Sequence, residues 1–124
     1  MEEKADQGTV LPLVIPEIVT LPAEIDISNA ESVGRQLCAA ARPGIAVVIA
    51  DMSQTLYCDS SAVRSLMLAH DTAVRNDAEL RLVIPSAAVL RILSVLGFDR
   101  ILHLYPSLGA ALTSSPGRPP ETNQ

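Results

Sequence analysis

Four consecutive residues, Cys58, Asp59, Ser60 and Ser61, carry the side chains of this sequence that are best suited to chemistry. They follow a continuous apolar run and a short polar loop, and they precede apolar residues at helical spacing, so we expect them at the start of a helix that follows a strand. Backbone N–H groups and the helix dipole favour an added negative charge at that position. Ser60 and Ser61 are therefore candidate phosphate acceptors, although Asp59 and both serines could equally serve only as caps of the helix.

A second motif overlaps the same residues. Residues 58–65 fit the pattern Cys-x5-Arg-Ser of the phosphate loop of protein tyrosine phosphatases, with Cys58 and Arg64 at the defining positions. In such an enzyme a thiolate of low pKa attacks phosphorus and the arginine binds the phosphate oxygens. Against this alternative, Asp59 would put a negative charge inside the anion-binding loop, and the loop has no glycine to turn its N–H groups inward. Short motifs often match by chance, so we expect a buried, unreactive cysteine and no enzyme.

Alternating strand-like and helix-like segments must position these residues. Residues 45–50 include no polar side chain, which is typical of a strand covered on both faces, and we expect this strand at the centre of the sheet. Ser28 followed by Glu31 fits a capping box, which predicts a first helix from near Ser28. The second helix is expected over residues 61–75. The other predicted elements are a hairpin of residues 10–15 and 18–21, a strand at 80–84, a helix capped by Ser86 and ended by Gly97, a strand at 101–104 and a short helix at 106–112.

The order of these elements predicts one α/β domain, with a four- to five-stranded mixed sheet and helices packed mainly on one side. A chain of 124 residues suits a single domain. We expect residues 9–112 to be ordered, with residues 1–8 and the Pro-, Gly- and Ser-rich residues 113–124 disordered.

Charge and composition exclude several classes of partner. The net charge is −5, the pI is about 4.8 and there is no Lys/Arg cluster, which argues against nucleic acid and anionic membranes. No apolar run approaches the ~20 residues of a membrane span, and the acidic start lacks the basic region of a signal peptide, so a cytoplasmic protein is expected. Cys38, Cys58, His70 and His103 show no metal-ligand spacing, so we expect neither a metal nor a disulfide.

Three stretches resemble the STAS family of anti-sigma factor antagonists. Residues 21–26 (LPAEID) are similar to the family's Leu-x-Gly-Glu-Leu-Asp element, and residues 47–61 to its buried strand and phosphorylation loop. Residues 80–104 resemble its next strand, helix, Leu-x-Gly turn and final strand. The resemblance extends from about residue 10 to residue 112.

This resemblance implies a non-enzymatic binding module. A partner kinase would phosphorylate Ser60, the serine directly after Asp59, with Ser61 as the fallback acceptor. When unphosphorylated, the protein would bind an anti-sigma factor that has serine kinase activity and so release a sigma factor, and a phosphatase would reset it. ATP and magnesium would belong to the kinase, so no cofactor is expected in this chain. The docking surface implied by the resemblance comprises Asp26, Cys58, Asp59, Ser60, Ser61, Ala62 and Arg64.

One departure from the family pattern leaves an alternative open. The family's Gly-Leu-Gly after the serines is Ala62-Val63-Arg64 here, and the chain could instead be a STAS scaffold or ligand sensor that is no longer phosphorylated. Arg64 follows Ser60 by one helical turn, so it could pair with a phosphate on Ser60, or with Asp59, or remain solvated. The sequence specifies neither the particular partner nor the oligomeric state.

Overall fold

A computed structural model of the protein describes residues 15–114. Its central sheet has four strands in the order β1-β3-β5-β6, and each neighbouring pair is parallel. Two further strands, β2 and β4, form a separate parallel pair. The elements in chain order are β1 (Glu17–Thr20), β2 (Glu24–Ile25), α1 (Ala30–Ala40), β3 (Val47–Asp51), β4 (Tyr57–Cys58), α2 (Ser60–Arg75), β5 (Glu79–Val83), α3 (Ala87–Val95), a 3-10 turn (Phe98–Arg100), β6 (His103–Tyr105) and α4 (Leu108–Thr113).

Strand β3 lies between β1 and β5 and is buried on both faces, as its continuous apolar sequence predicts. Val48 and Ala50 point into the larger core, to which α1, α2 and α3 contribute their apolar sides. Val47 and Ile49 point to the opposite face, where they pack with residues of β5, β6 and α4. Three helices therefore cover one face and a short helix covers the other, which confirms the predicted α/β fold with helices mainly on one side. The prediction of a mixed sheet is corrected, because every strand pair within residues 15–114 is parallel.

The predicted capping box at the start of α1 is wrong. The helix begins at Ala30, and its N-cap residue Asn29 makes no side-chain cap bond to the helix. Ser28 instead donates from its backbone N–H and its hydroxyl to the carboxylate of Asp26. Because the helix starts at Ala30, Ser28 lies one residue before the N-cap position, so the Ser28 and Glu31 pattern is not used as a cap.

The starts of α2 and α3 agree closely with their sequence signals. Ser86 caps α3, and Gly97 follows that helix with φ of 84°, the left-handed conformation that glycine adopts at helix ends.

The apolar faces of α2 and α3 are narrower than predicted, because Val74, Leu90 and Leu96 are 57%, 38% and 56% exposed. Val74 directly follows the buried Ala73 and Leu90 directly follows the buried Val89, and neighbouring positions on a helix point about 100° apart. Leu96 is the C-cap residue at the end of α3.

The predicted hairpin at the sheet margin is only partly within the described residues. Its second arm corresponds to β1, which pairs in parallel with β3. Its first arm, residues 10–15, lies almost entirely outside the described residues, as do residues 1–8 and 115–124.

A buried arginine ties α4 to the sheet. Arg81 of β5 is 2% exposed, and its Nε donates to Glu79 Oε2 at 3.0 Å. Its Nη1 donates to the carbonyl of Ala111 in α4 at 2.6 Å, and its guanidinium lies 5.6 Å from the centre of the Tyr105 ring. Burial lowers the pKa of nearby His103, with Glu79 opposing this effect. The face of the sheet under α4 therefore combines an apolar cluster with a charged hydrogen-bonded group.

Candidate functional site at the start of α2

The short β2–β4 pair brings together two segments that are distant in sequence. Ile25 is in register with Cys58, and the N–H of Asp59 donates to the carbonyl of Ile25 at 3.2 Å. Asp26 and Asp59 therefore leave the two strands side by side. Further hydrogen bonds join the preceding loops, among them Leu56 N to Ala23 O at 2.8 Å, Thr55 Oγ1 to Pro22 O at 2.8 Å and Gln54 Nε2 to Leu21 O at 2.9 Å.

Asp59 caps α2. Its backbone is extended, and its carboxylate accepts hydrogen bonds from the N–H groups of Ser61 at 2.9 Å and Ala62 at 3.1 Å. The Ser61 hydroxyl also donates to this carboxylate. These bonds lower the pKa of Asp59, the Ser61 hydroxyl most strongly, followed by the N–H groups of Ala62, Ser61 and Ile27, while desolvation opposes them. Asp59 is thus a charged cap whose Oδ1 accepts three hydrogen bonds from the first turn of α2.

The two serines differ in what their hydroxyls do. Ser60 is exposed at the first position of α2, and its hydroxyl makes no hydrogen bond with any residue between 15 and 114. Ser61 is half-buried and its hydroxyl is bound to Asp59. The Ser60 oxygen is therefore accessible without loss of a bond to a described residue, whereas any reaction of the Ser61 hydroxyl would break its bond to the cap.

Cys58 and Ala62 are 3% and 1% exposed, so their side chains do not reach the surface. They pack against the core and support the loop, so a partner at this surface could contact only the backbone of these two residues. Burial and the charge of Asp59 raise the pKa of the Cys58 thiol, which opposes the thiolate that a phosphatase would need. Ala62 lies within regular helix, a conformation that needs no glycine.

Asp26 forms hydrogen bonds within the turn of residues 26–29 that precedes α1. Its carboxylate accepts the N–H of Ser28 at 2.9 Å, and its own N–H donates to Asn29 Oδ1 at 2.9 Å. The turn leaves the intervening residue, Ile27, 85% exposed beside the cap of α2. Our sequence reasoning did not single out Ile27, although an isolated apolar residue within a polar stretch was a usable signal.

Helices α1 and α2 pack closely and leave a groove above their contact. A Cβ added to Gly34 would lie 3.2 Å from the Ser65 hydroxyl oxygen, so this glycine permits the close approach. That hydroxyl donates to the carbonyl of Ala30 at 2.7 Å and links the helices. The groove has a volume of about 430 Å³ and extends to Ser61 at the start of α2.

The walls of this α1–α2 groove carry both apolar and charged side chains. Ile27 and the 57% exposed Leu68 contribute apolar surface, and Arg35 and Arg64 contribute positive charge. Arg64, which the sequence placed near Ser60, is therefore part of a larger surface. The groove itself was missed, because its walls come from helices whose packing the sequence does not display.

Within residues 15–114, no three His, Cys, Asp or Glu side chains are grouped so that they could hold a metal ion. His103 lies 3.4 Å from Glu79, on the α4 side of the sheet, and His70 is half-buried in α2. None of the described helices is both long enough and apolar enough to cross a membrane.

The domain thus combines a parallel α/β sheet with an aspartate-capped helix, an exposed serine at the start of that helix and a neighbouring groove. Residues 10–111 match the STAS domain family, and the chain belongs to this family.

Two solved structures share the fold at low sequence identity. A Thermotoga maritima protein described as an anti-sigma factor antagonist is 19% identical, with a TM-score of 0.65 over 77% of this chain and 84% of its own. A sulfate transporter family protein from Wolinella succinogenes is 17% identical, with a TM-score of 0.68 over 88% of this chain and 90% of its own. Comparison of the sequence with curated proteins found no match.

Proposed function

We propose that this STAS domain is an anti-sigma factor antagonist whose binding is switched off by phosphorylation of Ser60. In its unmodified form it binds, in the cytoplasm, an anti-sigma factor that has serine kinase activity, and the bound sigma factor is released. The kinase then transfers a phosphoryl group to Ser60 and the complex separates. A phosphatase returns the protein to its binding form.

The observation that carries this proposal is the difference between the two serines. The Ser60 hydroxyl is exposed and makes no hydrogen bond with a described residue, while the Ser61 hydroxyl is bound to Asp59. Helix capping alone would account for Asp59 and Ser61. It does not use the Ser60 side chain, which is the group that a kinase would need.

The position of Ser60 also explains how a phosphate could act as a switch. A phosphoserine adds close to two negative charges at neutral pH. The helix N-terminus favours that charge energetically, so the modified form is stable, but the charge would stand beside Asp59 and close to the exposed apolar side chain of Ile27. A partner that packs against this surface would have to desolvate the phosphate, which is costly.

A kinase assay tests the proposal. The protein is incubated with ATP, magnesium and candidate serine-kinase anti-sigma factors, and the modified residue is located by mass spectrometry. We expect Ser60 to be phosphorylated in the wild type and in Ser61→Ala, and no modification in Ser60→Ala. Binding of the same anti-sigma factor is then compared between Ser60→Ala and Ser60→Asp.

The result also separates the alternative functions. If a bound anti-sigma factor leaves Ser60 unmodified, and if Ser60→Ala and Ser60→Asp bind it equally, the charge switch is wrong and a scaffold function is favoured. Phosphorylation confined to Ser61 would show that the hydroxyl's bond to Asp59 does not protect it, and would move the switch by one residue.

A further inference from the structure

The charges of the α1–α2 groove are not balanced. Its lining includes two arginines, Arg35 and Arg64, but only one carboxylate, Glu31. Glu31 pairs with Arg35 at 3.2 Å along the exposed side of α1. Arg64 makes no ion pair with any residue of the described part of the chain, so its guanidinium is available to a negatively charged group from outside.

The shape of the groove is suited to a helix with one apolar side. Its lining also includes the small residues Gly34 and Ser65, where α1 and α2 meet, so no bulky side chain fills the groove at that point. Ile27 and Leu68 offer apolar surface on the walls, and both are largely exposed in the free protein. An amphipathic helix could bury apolar side chains against these two residues and place a carboxylate near Arg64. Such a helix would match both the apolar and the charged parts of the groove.

Arg64 is also placed to respond to a phosphate on Ser60. The two residues are separated by four positions on α2, and side chains at this spacing face each other on a helix. A guanidinium and a phosphate form strong charge-assisted hydrogen bonds. A phosphate on Ser60 would therefore occupy the same guanidinium that an acidic partner needs.

We propose that the α1–α2 groove binds an acidic amphipathic helix of the protein partner through Arg64, and that a phosphate on Ser60 competes for this arginine. The inference rests on the proposed function and adds a mechanism to it. Phosphorylation then weakens binding in two ways: the phosphate pairs with the Arg64 guanidinium, which is no longer available to the partner, and it places negative charge at the surface. The family's usual glycine at position 64 could not provide this effect.

The pairing of phosphate with Arg64 can be tested without any partner. Phosphoserine is incorporated at position 60 and its second pKa is measured by ³¹P NMR in the wild type, in Arg64→Gln and in Arg35→Gln. Because a nearby cation favours the dianion, we expect Arg64→Gln to raise this pKa by about 0.4 unit, and Arg35→Gln to have a smaller effect. Equal pKa values in the wild type and Arg64→Gln would overturn the competition.

Docking in the groove is tested with the anti-sigma factor that binds the wild type in the kinase assay. By isothermal titration calorimetry, we expect Arg64→Gln to weaken binding about tenfold, and Arg91→Gln on α3, outside the groove, to leave it unchanged. Phosphorylation of Ser60 should then reduce affinity by a smaller factor in Arg64→Gln than in the wild type, because the two changes act on the same group.

The outcomes distinguish this inference from the proposed function. Equal affinity of the wild type and Arg64→Gln, with phosphorylation still abolishing binding, would overturn the groove proposal and leave the antagonist function intact. A wild type that binds no anti-sigma factor would overturn the function and the groove's partner, while the ³¹P titration would still decide whether Arg64 pairs with the phosphate. Circular dichroism of Arg64→Gln checks that this exposed substitution preserves the fold.

Discussion

Replacement of Arg81 by methionine should loosen α4 from the sheet. The guanidinium donates to Glu79 Oε2 at 3.0 Å and to the carbonyl of Ala111 at 2.6 Å, and it faces the ring of Tyr105. Methionine has a flexible apolar side chain that fills much of the same space. The substitution therefore preserves most of the burial and removes the charge and both hydrogen bonds.

The expected cost follows from the surroundings of Arg81. Removal of one member of a buried ion pair destabilises a protein by about 3–5 kcal/mol, because the remaining charge loses its partner. Glu79 is not completely buried, with 11% of its side chain exposed, and His103 lies 3.4 Å away. We therefore expect the lower end of the range, about 3 kcal/mol. With a slope of about 1.5 kcal/mol per molar urea, the unfolding midpoint should fall by about 2 M.

Urea unfolding followed by far-UV circular dichroism measures this change, and hydrogen exchange of the amides of α4 tests whether the helix loosens first. The double variant Arg81→Met/Glu79→Gln is the matched control, since it also removes the carboxylate charge. We expect the double variant to recover part of the stability lost in Arg81→Met. Buried ion pairs can sometimes be replaced by apolar residues without loss, so an unchanged or higher midpoint for Arg81→Met would refute the reasoning.

Four further changes test other parts of the structure. Hydrogen bonds lower the pKa of Asp59, so its ionised form should stabilise the fold above the ordinary aspartate pKa of about 3.9. This stabilisation should be lost as the pH falls through the lower pKa of the folded protein. Urea unfolding between about pH 2 and pH 5 should therefore depend less on pH in Asp59→Asn than in the wild type. Burial lowers the pKa of His103, so the free energy of unfolding should decline as the pH falls below about 6.5. His103→Gln should remove that decline, and an unchanged dependence of stability on pH would contradict the prediction. Gly34→Val should cost about 2 kcal/mol in urea unfolding, because a Cβ at this position already lies 3.2 Å from a side-chain oxygen of α2; unchanged stability would mean that the helices can separate. Cys58 is buried with a raised thiol pKa. Iodoacetamide should therefore modify it on the order of 100-fold more slowly in the folded protein than in urea. Mass spectrometry should find the half-buried Cys38 modified first.

The elements around the serine could be predicted from the sequence because their signals are local. A run of apolar residues before Asp59 indicated the buried strand β3, and Asp59 with Ser60 marked the start of α2. Gly97 indicated the end of α3 because few other residues adopt its left-handed backbone. Each of these conclusions depended on neighbours within about one helical turn, and propensity is reliable at that range.

Other features depend on contacts between distant residues. The capping box failed because the helix starts at Ala30, which leaves Ser28 one residue before the N-cap, and the sequence pattern does not fix that start. The α1–α2 groove depends on Gly34 meeting Ser65, which belongs to another helix. Arg81 is similar: a charged residue in a short strand suggests an exposed face, and only the packing of α4 reveals that it is buried.

The β2–β4 pair has a consequence for how this surface could change during evolution. The two loops bind each other through backbone bonds, such as that from Asp59 N to Ile25 O, and through the side chains of Thr55 and Gln54. Exposed side chains on the same loops, such as those of Ile27 and Tyr57, can therefore be exchanged without altering the relative position of the loops. Duplicated copies of the gene could thus acquire different partners through a few surface substitutions, while the geometry around the serine is inherited unchanged.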